Sequence, residues 1–105
     1  MTDTLDRIAG PAAVASGSSV VFTGTALHIY TIKSMEITNT SGASRDFSMG
    51  VNGVAAADLI VNSITLDAGD TAEFEGILVL TGAETLEMIA SGTGLTLTIS
   101  GLYQT

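Results

Sequence analysis

Residues 64–88 nearly repeat themselves at an interval of fourteen. Ile64-Thr-Leu-Asp-Ala-Gly-Asp-Thr-Ala-Glu-Phe74 is echoed by Leu78-Val-Leu-Thr-Gly-Ala-Glu-Thr-Leu-Glu-Met88. In each copy an alternating apolar stretch enters a short polar turn and leaves as a second alternating stretch. Ile64 and Leu66 answer to Leu78 and Leu80, Asp70 and Thr71 to Glu84 and Thr85, and Ala72 and Phe74 to Leu86 and Met88. A period of two places these apolar side chains on one face of a strand, which calls for a sheet buried on one side. Because the two turns occupy matching places in the echo, we expect them to cluster at one end of the molecule and to make that end acidic.

The same rhythm runs through most of the chain. Leu95, Leu97 and Ile99 alternate with Thr96, Thr98 and Ser100, and Arg45, Phe47, Met49 and Val51 with Asp46, Ser48 and Gly50. Across residues 27–39, Leu27, Ile29, Met35 and Ile37 share one phase, but Tyr30-Thr-Ile-Lys33 interrupts it, which signals a bend, a bulge or the junction of two strands. Further strands are expected at residues 20–23, 59–66 with a break at Asn62-Ser63, 71–75, 77–80 and 85–90. Asn52-Gly53 reads as a two-residue hairpin turn, and Gly92-Thr-Gly94 as the turn of another hairpin. Residues 54–59 have room for one helical turn only.

About eight short strands with no helices to cover crossovers predict an all-β fold, an antiparallel β-sandwich of jelly-roll type. The sole proline, Pro11, cannot donate to an interior ladder, so residues 1–15 are read as an extended N-terminal arm or edge strand. Residues 16–105 are read as one β-sandwich domain. A length of 105 residues suits a single thin core.

Composition narrows the function. Apolar residues make up 46% of the chain, yet no run approaches the roughly 20 that a membrane helix needs. Scattered at alternate positions, they suit a packed sheet and surfaces that bury against other subunits. Eleven carboxylates against Arg7, Lys33 and Arg45 give a formal charge of −8, which repels phosphate backbones and argues against direct nucleic-acid binding. The absence of cysteine removes disulfides and thiolate metal or redox chemistry. The first residues carry no basic segment followed by an apolar one, so a cytoplasmic origin is expected.

Little in the chain reads as a reaction centre. His28 is the only histidine, lies out of phase with Leu27 and Ile29, and reads as a solvated side chain. No second histidine completes a zinc site and no Gly-x-Ser-x-Gly elbow supports a hydrolytic triad. Asp67, Asp70 and Glu73 are weak candidates for a hard cation, because clustered oxygens suit one, but Asp67-Ala-Gly-Asp70 is also an ordinary turn. Glu73 and Glu75, with Glu84 and Glu87, suggest a solvated acidic face open to a basic partner. The three phenylalanines and two tyrosines are scattered, with no expected stacking platform. The expectation is a non-enzymatic protein with no catalytic residue, no cofactor and no metal.

Three segments resemble a broad group of small phage virion structural proteins. They are Ile32-Lys-Ser-Met-Glu-Ile-Thr-Asn-Thr-Ser-Gly-Ala43, Ile64-Thr-Leu-Asp-Ala-Gly-Asp70 and Gly94-Leu-Thr-Leu-Thr-Ile-Ser-Gly101. The Val-Pro-Ala-Gly turn usual in that group before the lysine is replaced by Leu27-His-Ile-Tyr-Thr31. The resemblance implies a subunit assembled many times on a virion after synthesis in the host cytoplasm. Its first form is a capsid decoration protein, in trimers, bound to the major capsid protein or other virion proteins. The N-terminal arm, with Thr4, Leu5, Ile8, Pro11 and Val14, would be the strap laid on a neighbour. Alternatives are a tail, collar or fibre component, and a carbohydrate- or host-receptor-binding module whose contact loops are residues 41–45 and 92–94.

Overall fold

The structure is a computed structural model that describes the backbone of residues 3–104 and the side chains of all of these except 3–7, 9 and 77. Eight strands follow in order: β1 (Asp3–Val14), β2 (Gly17–Thr23), β3 (Ile29–Asn39), β4 (Arg45–Val51), β5 (Leu59–Leu66), β6 (Thr71–Thr81), β7 (Thr85–Ala90) and β8 (Leu95–Gln104). A single 3-10 turn, Ala56–Asp58, precedes β5.

The strands form two four-stranded sheets, ordered β1-β8-β3-β6 and β2-β7-β4-β5, with every neighbouring pair antiparallel. Four of the pairings, β1 with β8, β2 with β7, β3 with β6 and β4 with β5, nest inside one another. The chain is thus doubled back at the β4–β5 link into one long two-stranded ribbon. Rolling that ribbon brings β8 against β3 and β7 against β4. This is the jelly roll expected from the alternation.

The alternation sorts residues as it should. Leu95, Leu97 and Ile99 are buried, as are Phe47 and Met49, and they meet Leu66, Leu80, Leu86 and Met88 from the echo. Phe47 packs edge-on against Phe74, the ring centroids 6.3 Å apart. The interruption at Tyr30-Thr-Ile-Lys33 is a bulge inside one strand. Tyr30 and Ile32 are buried before it and Met35 and Ile37 after it, while the pairing of β3 to both β6 and β8 shifts between Ile32 and Ser34. Across from it, Gly76 takes a φ of 141°, so the stretches expected as two strands run through as the single β6. The break at Asn62-Ser63 is also a bulge: Ser63 has φ 50°, and its amide donates to the Ser48 hydroxyl at 2.9 Å.

Of the two expected hairpins one is corrected, and the other forms with a longer link than two residues. Residues 91–94 connect β7 to β8, which lie in different sheets, so this turn crosses the roughly 10 Å between layers. The only consecutive strands sharing a sheet among the described residues are β4 and β5, and their link runs through residues 52–58. Asn52 does not reverse the chain within two residues because it is spent on β7: its amide donates to the Thr85 carbonyl at 2.8 Å, and its side-chain oxygen accepts from the Thr85 amide at 2.9 Å.

Candidate functional site: the two ends of the sandwich

Since all links but one cross between sheets, the turns gather at two opposite ends. The molecule is 44 Å long and 26 by 20 Å in its other dimensions. One end carries the links after β1, β3, β5 and β7. The other carries those after β2, β4 and β6 and the paired ends of β1 and β8.

The first end is organised by Asn39, which is fully buried. Its side-chain nitrogen donates to the carbonyls of Ala43 at 2.8 Å and Leu66 at 3.0 Å. Its side-chain oxygen accepts from the Ser41 amide and hydroxyl at 3.0 and 2.7 Å. Its backbone amide donates to the Asp70 carbonyl, and its carbonyl accepts from the Gly69 amide, both at 2.8 Å. One residue along, Thr40 donates its amide and hydroxyl to the Gly94 carbonyl. The three segments that carry the sequence resemblance therefore meet at Asn39 and Thr40, where they close the end of the sandwich.

Arg45 completes that closure. Its Nε donates to the Thr93 carbonyl at 2.8 Å and a terminal nitrogen to the Ser44 carbonyl at 3.0 Å, so the guanidinium props the 92–94 turn. The loops at residues 41–45 and 92–94 do lie side by side, joined by the hydrogen bond from Arg45 to Thr93. Asp67 and Asp70 are exposed here, and an Asp67 oxygen accepts from the Ser44 hydroxyl at 3.2 Å. Glu73 is not with them: it lies exposed on β6, directly opposite Glu36 of β3. No group of three or more His, Asp or Glu that could hold a metal forms among the described residues.

The echo's second turn belongs to the other end. β6 runs eleven residues between the two turns, which separates residues 67–70 from residues 82–84 by the length of the sheet. The expected common acidic corner is thus divided. Glu84 is used locally, its carboxylate accepting from the amide of Thr81 at 2.7 Å and the hydroxyl at 3.1 Å. Nor do Glu73 and Glu75 share a sheet with Glu87, since β6 and β7 lie in opposite layers.

This second end holds what the sequence did not reveal. Tyr30 lies between Phe22 (centroids 5.0 Å apart, edge-on), His28 (6.0 Å) and Tyr103 (6.4 Å). The rings come together because β3 pairs with β8, which sets Tyr30 opposite Tyr103. They line a hollow of about 320 Å³ together with Ile8, Thr23 and Thr25. His28 is half-buried in the turn before β3 rather than free in solvent, with Nδ1 3.3 Å from the Tyr30 hydroxyl.

The same hydroxyl accepts from the Thr25 amide at 3.0 Å, and the His28 amide donates to the Thr25 carbonyl at 3.1 Å, which folds residues 25–28 into a tight turn. That turn is tied to the 82–84 turn: the Gly24 amide donates to the Glu84 carbonyl and the Gly82 amide to the His28 carbonyl. Gly24 is required there, since a Cβ would overlap the Gly82 carbonyl. At the tip stands Leu27, 94% exposed and held at φ 68°. A left-handed backbone costs a branched residue about 1–2 kcal/mol, and the exposed side chain forgoes about 1.5–3 kcal/mol of burial. An isolated subunit gains nothing from either.

Of the residues expected to form a strap, Pro11 is exposed, Ile8 is half-buried against the core, and Val14 is a core residue at 3% exposure. The side chains of Thr4 and Leu5 lie outside the described residues; their backbones pair with Tyr103 and Leu102 of β8.

No protein-family model matches the chain, and no curated protein matches its sequence. Its fold is shared with solved assembly proteins. A chain of the T13 IBDV viral particle superposes with a TM-score of 0.60 at 11% identity, over 97% of this chain and 30% of that one. A chain of Bacillus endospore appendages, described as a novel family of disulfide-linked pili, gives 0.59 at 13% identity over 99% of this chain and 88% of that one. This chain thus spans less than a third of the viral chain's length and most of the pilus chain's. At such identities the likeness is one of fold, and disulfide linkage does not transfer to a chain without cysteine.

Proposed function

We propose that this chain is a non-enzymatic structural subunit of a bacteriophage virion, and that it decorates the capsid and stabilises the head lattice. The observation that carries the reading is the jelly roll itself, which superposes over 97% of the chain on part of a viral-particle chain. The three segments resembling phage virion proteins support it, because they converge on one structural joint around Asn39. The exposed face of the first sheet supports it too. The outer side of β3, β6 and β8 is paved with Thr31, Ser34, Thr38, Thr71, Thr96, Thr98 and Ser100 around Glu36 and Glu73, a surface suited to repeated contact rather than to enclosing a substrate.

In this reading the partners are the major capsid protein and further copies of the chain, and the location is the virion. The strap is limited to what β1 leaves outside: Pro11, Ala12 and Ala13 are exposed, whereas Val14 anchors the strand in the core. Deleting residues 1–15 would therefore remove an edge strand as well as a contact. A cleaner test is co-sedimentation of the purified protein with particles lacking it, wild type against Ala12→Arg/Ala13→Arg. Saturable binding that the double variant weakens is expected; absence of binding by the wild type contradicts the reading. A second reading, a carbohydrate- or host-receptor-binding module, is favoured by the four-ring cluster around Tyr30. Signal on a glycan array that is lost in Tyr103→Ala would support it.

A further inference from the structure

We infer that the end of the sandwich bearing Leu27 is a self-association surface, in which Leu27 of each of two copies seats in the aromatic hollow of the other. Leu27 stands almost fully exposed on a turn fixed by the Tyr30 hydroxyl, the Gly24 and Gly82 amides and a left-handed backbone, so it is presented as a rigid apolar knob. Beside it, on the same end, Thr25, His28, Phe22, Tyr30, Tyr103 and Ile8 line an open hollow of about 320 Å³. Thr25 and His28 belong to both features, so knob and hollow face the same way. A face-to-face two-fold contact satisfies both at once, whereas a head-to-tail ring needs them on different flanks.

The size of the end sets the strength. A cross-section of 26 by 20 Å limits one end to about 500 Å², so a pair buries at most roughly 1,000 Å², the lower bound of a specific interface. Such a contact is weak between free subunits and becomes effective when a particle already holds them close. Charge opposes the contact: each copy carries −8, so association strengthens as salt screens the repulsion, opposite to the behaviour of a basic partner. The inference goes beyond the capsid reading and does not depend on where on a particle the chain sits.

The test is sedimentation equilibrium of the full chain at low and high salt, comparing wild type, Leu27→Asn and Thr23→Arg. Asparagine accepts the left-handed backbone, so Leu27→Asn keeps the fold and holds or raises the thermal midpoint. Thr23→Arg obstructs the hollow from an exposed wall position. Wild type is expected to dimerise, more strongly at high salt, and Leu27→Asn to weaken dimerisation roughly a hundredfold because two knobs are lost per dimer. Thr23→Arg should do likewise, with both variants folded by circular dichroism. A wild type that stays monomeric at high concentration and high salt overturns the inference, as does a dimer that Leu27→Asn leaves intact. A monomer whose particle binding is lost in Leu27→Asn also overturns it, and assigns the knob to a capsid protein.

Discussion

The side-chain amide of Asn39 donates to the main-chain carbonyl of Leu66 at 3.0 Å, joining the end of β3 to the end of β5 across 27 positions of sequence. The same side chain holds Ser41 and Ala43, so one buried amide ties together two inter-sheet links. Replacing it by alanine strips the buried Leu66 carbonyl of this donor and the Ser41 amide of its acceptor, while the Ala43 carbonyl keeps the Ser41 hydroxyl. Asn39→Ala is expected to cost about 2–4 kcal/mol, read as a lower urea midpoint with an unchanged slope.

Leu80 and Val79 are neighbours on β6 with opposite fates, one fully buried and the other half exposed. Leu80→Ala should cost about 2–5 kcal/mol through the cavity it leaves. Val79→Thr should stay within about 0.5 kcal/mol. Equal effects in chemical denaturation would contradict the assignment of faces.

Glu36 and Glu73 sit directly opposite each other on β3 and β6, both exposed. Like charges in register oppose pairing, so Glu73→Lys is expected to stabilise the fold by about 0.2–1 kcal/mol at low salt. The gain should shrink at high salt, because exposed pairs are screened. Thermal melts of both proteins at two salt concentrations read this out.

Asp67 and Asp70 flank a turn whose backbone is already bonded: the Asp70 amide donates to the Asp67 carbonyl at 3.0 Å, and the Gly69 amide to Asn39. Calcium should therefore leave the thermal midpoint of the wild type and of Asp67→Asn equally unchanged. A calcium-dependent rise in the wild type alone would reinstate the turn as a cation site.

How much of this was legible in the sequence follows from what a period of two encodes. The inward residues of β4, β8 and both halves of the echo read correctly, because alternation reports directly which face a side chain takes. Sheet membership did not. Residues 67–70, 82–84 and 91–94 have the composition of hairpin turns, yet all three cross between layers. Turn chemistry bends the chain without stating which strand waits beyond. The ring cluster was hidden for the same reason: Tyr30 and Tyr103 meet only through the pairing of β3 with β8, and Phe22 joins them from the opposite sheet. Leu27 was visible as an apolar residue in phase with Ile29, but only the backbone shows it on a turn instead of in a strand.

The measurement that bears most directly on the central claim is the abundance of this chain relative to the major capsid protein in purified virions, by quantitative mass spectrometry. A fixed ratio that scales with the capsid lattice is the predicted result. A handful of copies per particle would move the protein to the tail or collar, and its absence from the particle would contradict a virion role altogether.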